Sequence, residues 1–199
     1  IVDHEILYNA LGYSIFENLK KKNIIFEGWR DKRIFEIYLE KYSSLDKELG
    51  YCFSQGVKDI QRVVSILELA NRDYLIVSDS DKPAVEAKEK FHTQNKWLKY
   101  NDFNKEIVTS EDYITIDYNI ECFKQACNYF SIKVYEEDLP QSTNNIVENF
   151  TKVLDKQKID KNVRKNILNK YKSLIIDGLS IENINQKYTI FVDSLLKKI

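Results

Sequence analysis

Residues 24–35 read IIFEGWRDKRIF, and the order apolar run, glutamate, glycine, charged run decides how the chain is to be understood. Asn23 to Phe26 predicts a short strand, Gly28 a tight turn, and Asp31 to Tyr42 a helix whose Ile34, Phe35, Tyr38 and Leu39 share one face. Glu27 directly follows the apolar run, where burial gives a carboxylate no reason to stand. The same design recurs at residues 75–84, LIVSDSDKPA: the strand Tyr74 to Val77 is followed at once by Asp79 and Asp81. Carboxylates grouped at the ends of buried strands repel one another and lose hydration, so a fold keeps them mainly where a cation compensates the charge.

Working outward, a second unit passes from Tyr51 through Gln55 and Gly56 into a helix expected over Val57 to Asn71, with Ile60, Val63, Val64 and Leu67 spaced by three and four. Pro83 suits the first turn of another helix, carrying Ala84, Ala87 and Phe91 inward, and Lys96 to Tyr100 reads as one more strand. Strands alternating with helices predict right-handed crossovers and a mainly parallel sheet covered on both faces. Sites in such sheets lie at the carboxyl ends of the strands, where both acidic clusters fall. From about Asp117 the pattern is helical only. Ile146, Val147, Phe150, Val153 and Leu154 form one stripe, and Ile181, Ile184, Tyr188, Phe191 and Leu195 another. Pro140 with the following QSTNN is the expected linker, and Asp177–Gly178 an expected turn. At the other end, Glu5 to Lys22 carries Ile6, Leu7, Ala10, Leu11 and Ile15 at helical spacing and closes on a lysine triplet.

Composition narrows the function classes. With 43% hydrophobic residues in 199, the chain is long enough to bury one sizeable core. Thirty basic against 31 acidic residues leave a net charge of −1, so a phosphate partner must be gripped locally rather than by a global field. Cys52, Cys122 and Cys127 are odd in number and contain no CxxC pair, which argues for reduced thiols in a cytoplasmic protein rather than a disulfide framework or structural zinc. No apolar run approaches the roughly 20 residues of a membrane span. The chain begins at Ile1 and holds no methionine, so it is expected to be a piece of a longer polypeptide.

Oxygen donors at this spacing suit magnesium or manganese, which keep several waters and leave room for a phosphate. Glu27, Asp31, Asp79 and Asp81 are enough to hold two cations, one activating water and one neutralising the leaving oxygen of a displacement at phosphorus. Asp31 equally suits the first turn of a helix with no chemistry at all, because its charge complements the helix dipole. Arg30, Lys32 and Arg33 follow the first cluster and Lys82 the second, placed either to grip phosphates or to balance nearby carboxylates. Trp29 is suited to stacking on a base or to packing.

These residues resemble the Toprim domain, with its Glu-Gly after the first strand and Asp-x-Asp after a later one, in the form found in OLD-family (overcoming lysogenization defect) ATP-dependent endonucleases. IIFEGWRDKRIF matches the strand, the Glu-Gly and the acidic residue four positions on. FSQGVKDI at 53–60 matches the glycine-containing second unit, LIVSDSDKPA the Asp-x-Asp, and TSEDYI at 109–114 the hydroxyl residue and glutamate that add metal contacts. The resemblance implies a Toprim Rossmann-like α/β fold over 23–116, a connector helix over 1–22 and a helical subdomain over 117–199. It implies Glu27, Asp31, Asp79, Asp81, Thr109 and Glu111 as metal residues of a two-metal magnesium or manganese site. Glu27, with Asp79 and Asp81, would be catalytic; Arg30, Lys32 and Lys82, from their place beside the clusters rather than from the resemblance, are expected to contact DNA. It further implies an N-terminal ABC-type ATPase outside this chain, homo-oligomerisation of the full-length protein and a role in phage defence. A catalytic lysine in the helical region is also implied, and Lys152, Lys158, Lys161 and Lys165 all offer themselves without a distinguishing motif.

Two other readings compete. A haloacid-dehalogenase-like phosphatase also uses Asp-x-Asp after a strand, but on its first strand, and would leave Glu27 unexplained. A catalytically inactive Toprim-like module would serve dimerisation or partner binding through its helical tail.

Overall fold

In a computed structural model, residues 19–41 and 49–199 are described. Four strands form one all-parallel sheet in the order β2-β1-β3-β4: β1 is Lys22–Phe26, β2 Leu49–Phe53, β3 Asp73–Ser78 and β4 Trp97–Lys99. β1 pairs on one side with β2, setting Phe26 opposite Phe53, and on the other with β3, setting Phe26 opposite Val77. This is an α/β, Rossmann-like arrangement, consistent with the Toprim resemblance, and parallel throughout where the sequence predicted mainly parallel.

The strands read as continuous apolar runs because both sheet faces are covered. Ile25, Cys52, Tyr74 and Ile76 project to one face and pack with Ile60, Val64 and Leu67 of helix α2 (Ile60–Leu69) and with Phe91 and Trp97. The alternate residue Phe26 projects to the other face, 5.1 Å from Phe35 of helix α1 (Trp29–Lys41), and Phe35 in turn lies 5.5 Å from Tyr51. Each fully buried side chain of this kind contributes about 1.5–3 kcal/mol.

Local chemistry sets the ends of the elements. α1 begins two residues before the expected Asp31, because the Asp31 carboxylate reaches back to accept the Gly28 N–H at 3.1 Å and so belongs inside the first turn. The helix expected over Val57–Asn71 divides into a 3₁₀ turn, Val57–Asp59, and α2. Asn71, at φ 53°, closes α2 as the left-handed residue of a Schellman motif, with Arg72 N–H on the Leu67 carbonyl at 2.9 Å and Asn71 N–H on the Glu68 carbonyl at 3.0 Å. Helix α3 (Lys82–Lys90) starts on an Asp81 N-cap with Pro83 in its first turn. β4 stops at Lys99 because Tyr100 opens the single-turn α4 (Tyr100–Phe103).

At the start of the chain the expected helix does not reach Lys22. Lys22 opens β1, and Leu19 to Lys21 are not helical. The rest of that helix, and with it the connector reading, lies outside the described residues.

The chain separates into two compact units, the first ending at Lys99 and also taking in Leu196–Ile199, the second Tyr100–Leu195. The second unit holds α4, α5 (Ile116–Tyr129), α6 (Ile146–Lys156), α7 (Lys161–Gly178) and α8 (Gln186–Leu196). Phe123 of α5 stacks on Phe150 of α6 at 4.0 Å, and Tyr171 of α7 meets Phe150 edge-on at 5.1 Å. Tyr113, Tyr188 and Phe191 form a second aromatic group. The predicted stripes are buried at Ile146, Phe150, Val153 and Leu154 and at Tyr188, Phe191 and Leu195, with Val147, Ile181 and Ile184 only half-buried.

The expected Pro140 linker is a non-helical stretch ahead of α6, inside the second unit. The turn expected at Asp177–Gly178 is displaced to the residues after it. α7 runs on through Asp177 and Gly178, because a Cβ at Gly178 would stand 2.7 Å from the Tyr118 hydroxyl, so glycine there admits a tyrosine rather than a turn. Among the described residues no helix is long and apolar enough to cross a membrane.

Candidate active site

β1 is the point where the chain's path reverses. It leaves β1 for β2 on one side and returns past β1 to β3 on the other, opening a crevice at the carboxyl ends of β1 and β3, where α/β sheets bind their ligands. Glu27 and Asp79 stand at that position. The Glu27 N–H donates to the Val77 carbonyl at 3.0 Å, and the Asp79 N–H donates to Glu27 Oε2 at 3.2 Å. The Glu27 carbonyl is held from the other side by Ser54 Oγ at 2.9 Å and the Gly56 N–H at 3.0 Å. Gly56 reaches this position with φ 92°, a conformation that favours glycine. Three strands therefore fix the backbone of Glu27, while Ser78 is fixed by the Trp97 indole N–H on its Oγ at 2.8 Å.

The other two carboxylates are turned to backbone. Asp31 accepts the Gly28 N–H, and Asp81 Oδ1 accepts the Ala84 N–H at 3.0 Å as the N-cap of α3. Asp79 and Asp81 consequently part company: β3 ends at Ser78, Asp79 meets Glu27, and Asp81 begins the next helix. With these partners, no group of three or more His, Cys, Asp or Glu side chains among the described residues is drawn together tightly enough to hold a metal ion. The donor chemistry nonetheless suits a hard divalent cation, since every candidate ligand is oxygen and a cap of this kind is worth only about 1 kcal/mol.

The three cations expected to meet phosphate differ. Lys32 pairs with Glu36 at 2.8 Å and lies over the Tyr51 and Phe53 rings, and Lys82 extends into solvent near Glu86 at 3.8 Å. Arg30 lies over the Trp29 indole, 5.1 Å from its centroid, and its buried Nε has no hydrogen-bond partner.

Thr109 and Glu111 belong to the second unit. Residues 108–112 form a turn gathered around the Asp112 carboxylate, which accepts the N–H groups of Val108 at 2.7 Å, Thr109 at 3.2 Å and Ile146 at 2.8 Å. Burial pushes the Asp112 carboxyl up, and those donors only partly offset it. Asp112 is thus the structural carboxylate of this turn, leaving Thr109 and Glu111 to project from it. Thr109 is buried, and the hydrogen bond from its side chain helps to hold the Glu111 carboxyl low.

Glu111 is buried, yet its carboxyl lies below the usual carboxylate range. Desolvation raises it, and the Lys172 ammonium at 2.9 Å outweighs that rise. Lys172, on α7, is the functional candidate that sequence reasoning missed. It flanks the buried stripe Ile167, Tyr171 and Ile175, a lysine beside an apolar stripe being the only signal available. A buried amide network orients the pair. Asn119 Nδ2 donates to the carbonyls of Glu111 at 3.2 Å, Ile114 at 3.0 Å and Thr115 at 3.2 Å, and the hydroxyl of Tyr171, next to Lys172, donates to Asn119 Oδ1.

No protein-family model and no curated protein matches the chain. In structure it is similar to the C-terminal region of the Burkholderia pseudomallei OLD protein, with a TM-score of 0.47 and 8% identity over 89% of this chain and 98% of that one.

Proposed function

We propose that this chain is the catalytic module of a divalent-metal-dependent nuclease that nicks or cleaves DNA by phosphodiester hydrolysis. Its OLD-type resemblance supplies the further reading of an ABC-type ATPase elsewhere in the polypeptide, assembly as a homo-oligomer and a setting in phage defence. The observation that carries the proposal is the Asp79 backbone N–H on Glu27 Oε2, which ties the chain after β3 to the carboxylate after β1 at the sheet's switch crevice.

Bound there, magnesium or manganese supplies an activated water and compensates charge on the leaving oxygen. Glu27, Asp79, Asp31 and Asp81 are the residues proposed to hold it, Asp31 and Asp81 by exchanging their backbone N–H for the cation. The Glu27 carboxylate takes the proton of the attacking water, and its backbone, held from both sides, keeps the carboxylate in place for that step. Arg30 grips a phosphate oxygen with its guanidinium. In the second unit Thr109 and Glu111 are the further metal residues that the resemblance implies. Lys172 is the residue proposed for the family's transition-state lysine, since its pairing with Glu111 keeps its charge in place.

The helix-cap roles of Asp31 and Asp81 favour a second reading, an inactive module that binds a partner. Supercoiled plasmid separates the two. With the native partner domain restored, the nuclease nicks or cuts it in magnesium or manganese, and Glu27→Gln loses that activity by roughly 100-fold or more, as removal of a general base does. Intact plasmid with wild-type protein and Glu27→Gln alike sinks the nuclease reading.

A further inference from the structure

The two tryptophans of this chain have opposite environments. Trp97 is 2% exposed and its indole N–H is bonded to Ser78, so it is a packing residue. Trp29 is 45% exposed at the first position of α1, immediately after Glu27 and Gly28. Adjacent helical residues do not ordinarily face one another, yet the Arg30 guanidinium curls back to lie over the Trp29 indole at 5.1 Å. Hydrogen bonding within the protein does not explain that pose. Among the described residues Arg30 makes no ion pair, and its Nε is buried without a partner, whereas Lys32, Arg33 and Lys82 all face carboxylates.

We infer that Trp29 and Arg30 form a stacking subsite for an unpaired nucleobase, so that the substrate is a nucleic acid with an unstacked nucleotide beside the phosphate that is cut. The inference rests on the nuclease reading for the identity of that phosphate, though the stacking itself does not depend on cleavage. An indole face and a guanidinium plane both accept a base, and every base offers a π-face, so the subsite discriminates strandedness rather than sequence. The Arg30 donors would meanwhile meet the adjoining phosphate. Bases inside an intact duplex are stacked on their neighbours and cannot enter. Single strands, frayed ends and flaps can.

Tryptophan emission reports the event directly, because Trp97 is buried and Trp29 is not. The chain is titrated with oligothymidylate, and separately with a blunt duplex of equal length, in chelator so that nothing is cut. Oligothymidylate quenches the emission and the duplex does not. Trp29→Ala weakens single-strand binding by roughly 5- to 100-fold, from the usual worth of one base stacked on an aromatic ring, and leaves duplex binding within about twofold. Trp29→Phe retains single-strand affinity within a few-fold but loses the quench. Equal quenching by both ligands, no binding of either, or an unchanged single-strand affinity in Trp29→Ala overturns the inference. A strandedness preference without cleavage when magnesium is added to the protein with its native partner domain restored would leave the subsite standing and remove the nuclease reading instead.

Discussion

Replacing Lys172 by methionine keeps the length and apolar stem of the side chain and removes only the ammonium that compensates Glu111. Glu111 is 6% exposed and Lys172 24% exposed, so the pair sits at the mild end of the buried range, where loss of one partner costs about 3 kcal/mol. In a chain of this size that lowers the melting temperature by roughly 6–12 °C. The sign of the pH dependence follows from the two states of Glu111. In the wild type its carboxyl is depressed, so the pair stabilises above the ordinary carboxylate range and the benefit fades as pH falls through the depressed value. In Lys172→Met the main counterweight to desolvation is gone and only the Thr109 and backbone hydrogen bonds remain, so the carboxyl rises, and the variant is least impaired in acid and loses stability as pH climbs through that raised value. Melts followed by far-ultraviolet circular dichroism at neutral and at mildly acidic pH should therefore show the gap between the two proteins narrowing in acid. The double variant Glu111→Gln/Lys172→Met should recover most of the loss at neutral pH, since no buried charge remains. A cost below about 1 kcal/mol at neutral pH, or a gap that does not narrow in acid, would mean that Lys172 does not compensate a buried Glu111 charge.

Other outcomes follow from the same geometry. Asn caps a helix as well as Asp, so Asp81→Asn should leave urea stability within about 0.5 kcal/mol while weakening manganese binding, and Asp81→Ala should lose about 1 kcal/mol as well; equal metal affinity in all three would confine Asp81 to capping. Gly178→Ala sets a Cβ 2.7 Å from the Tyr118 hydroxyl, which donates to the Ile175 carbonyl, and should cost roughly 1–3 kcal/mol by urea unfolding; a loss much smaller in a Tyr118→Phe background would identify the clash as its cause. Burial pushes the thiols of Cys52 and Cys127 up to about 12 and that of Cys122 to about 11, so a thiol-specific chromogen should find all three nearly inert in the native protein and fully reactive after denaturation.

The sheet was legible because strands covered on both faces read as unbroken apolar runs, and IIF and LIVS are such runs. Their carboxyl-end acids could be placed because parallel topology dictates where a strand's end leads. What escaped the sequence depends on partners far along the chain. Lys172 and Glu111 belong to segments joined only by the fold, and no local pattern separates Lys172 from the other lysines of its helix. The division of Asp79 from Asp81 escaped because DSD is compatible with an extended strand or with a strand end followed by an N-cap, and only the packing of α3 decides. Gly178 carries the sign of a turn locally, yet the Tyr118 hydroxyl claims the space where its Cβ would be.

Manganese binding by the isolated chain, followed through the paramagnetic resonance of the free ion, probes the proposed metal centre without needing a partner domain or a DNA substrate. Binding should be saturable and fall by roughly tenfold or more in Glu27→Gln and in Asp79→Asn, while Lys32→Gln, on the Glu36 side of α1, binds as the wild type does. Manganese bound equally by wild type and both carboxylate variants, or bound by none, would mean that Glu27 and Asp79 hold no metal.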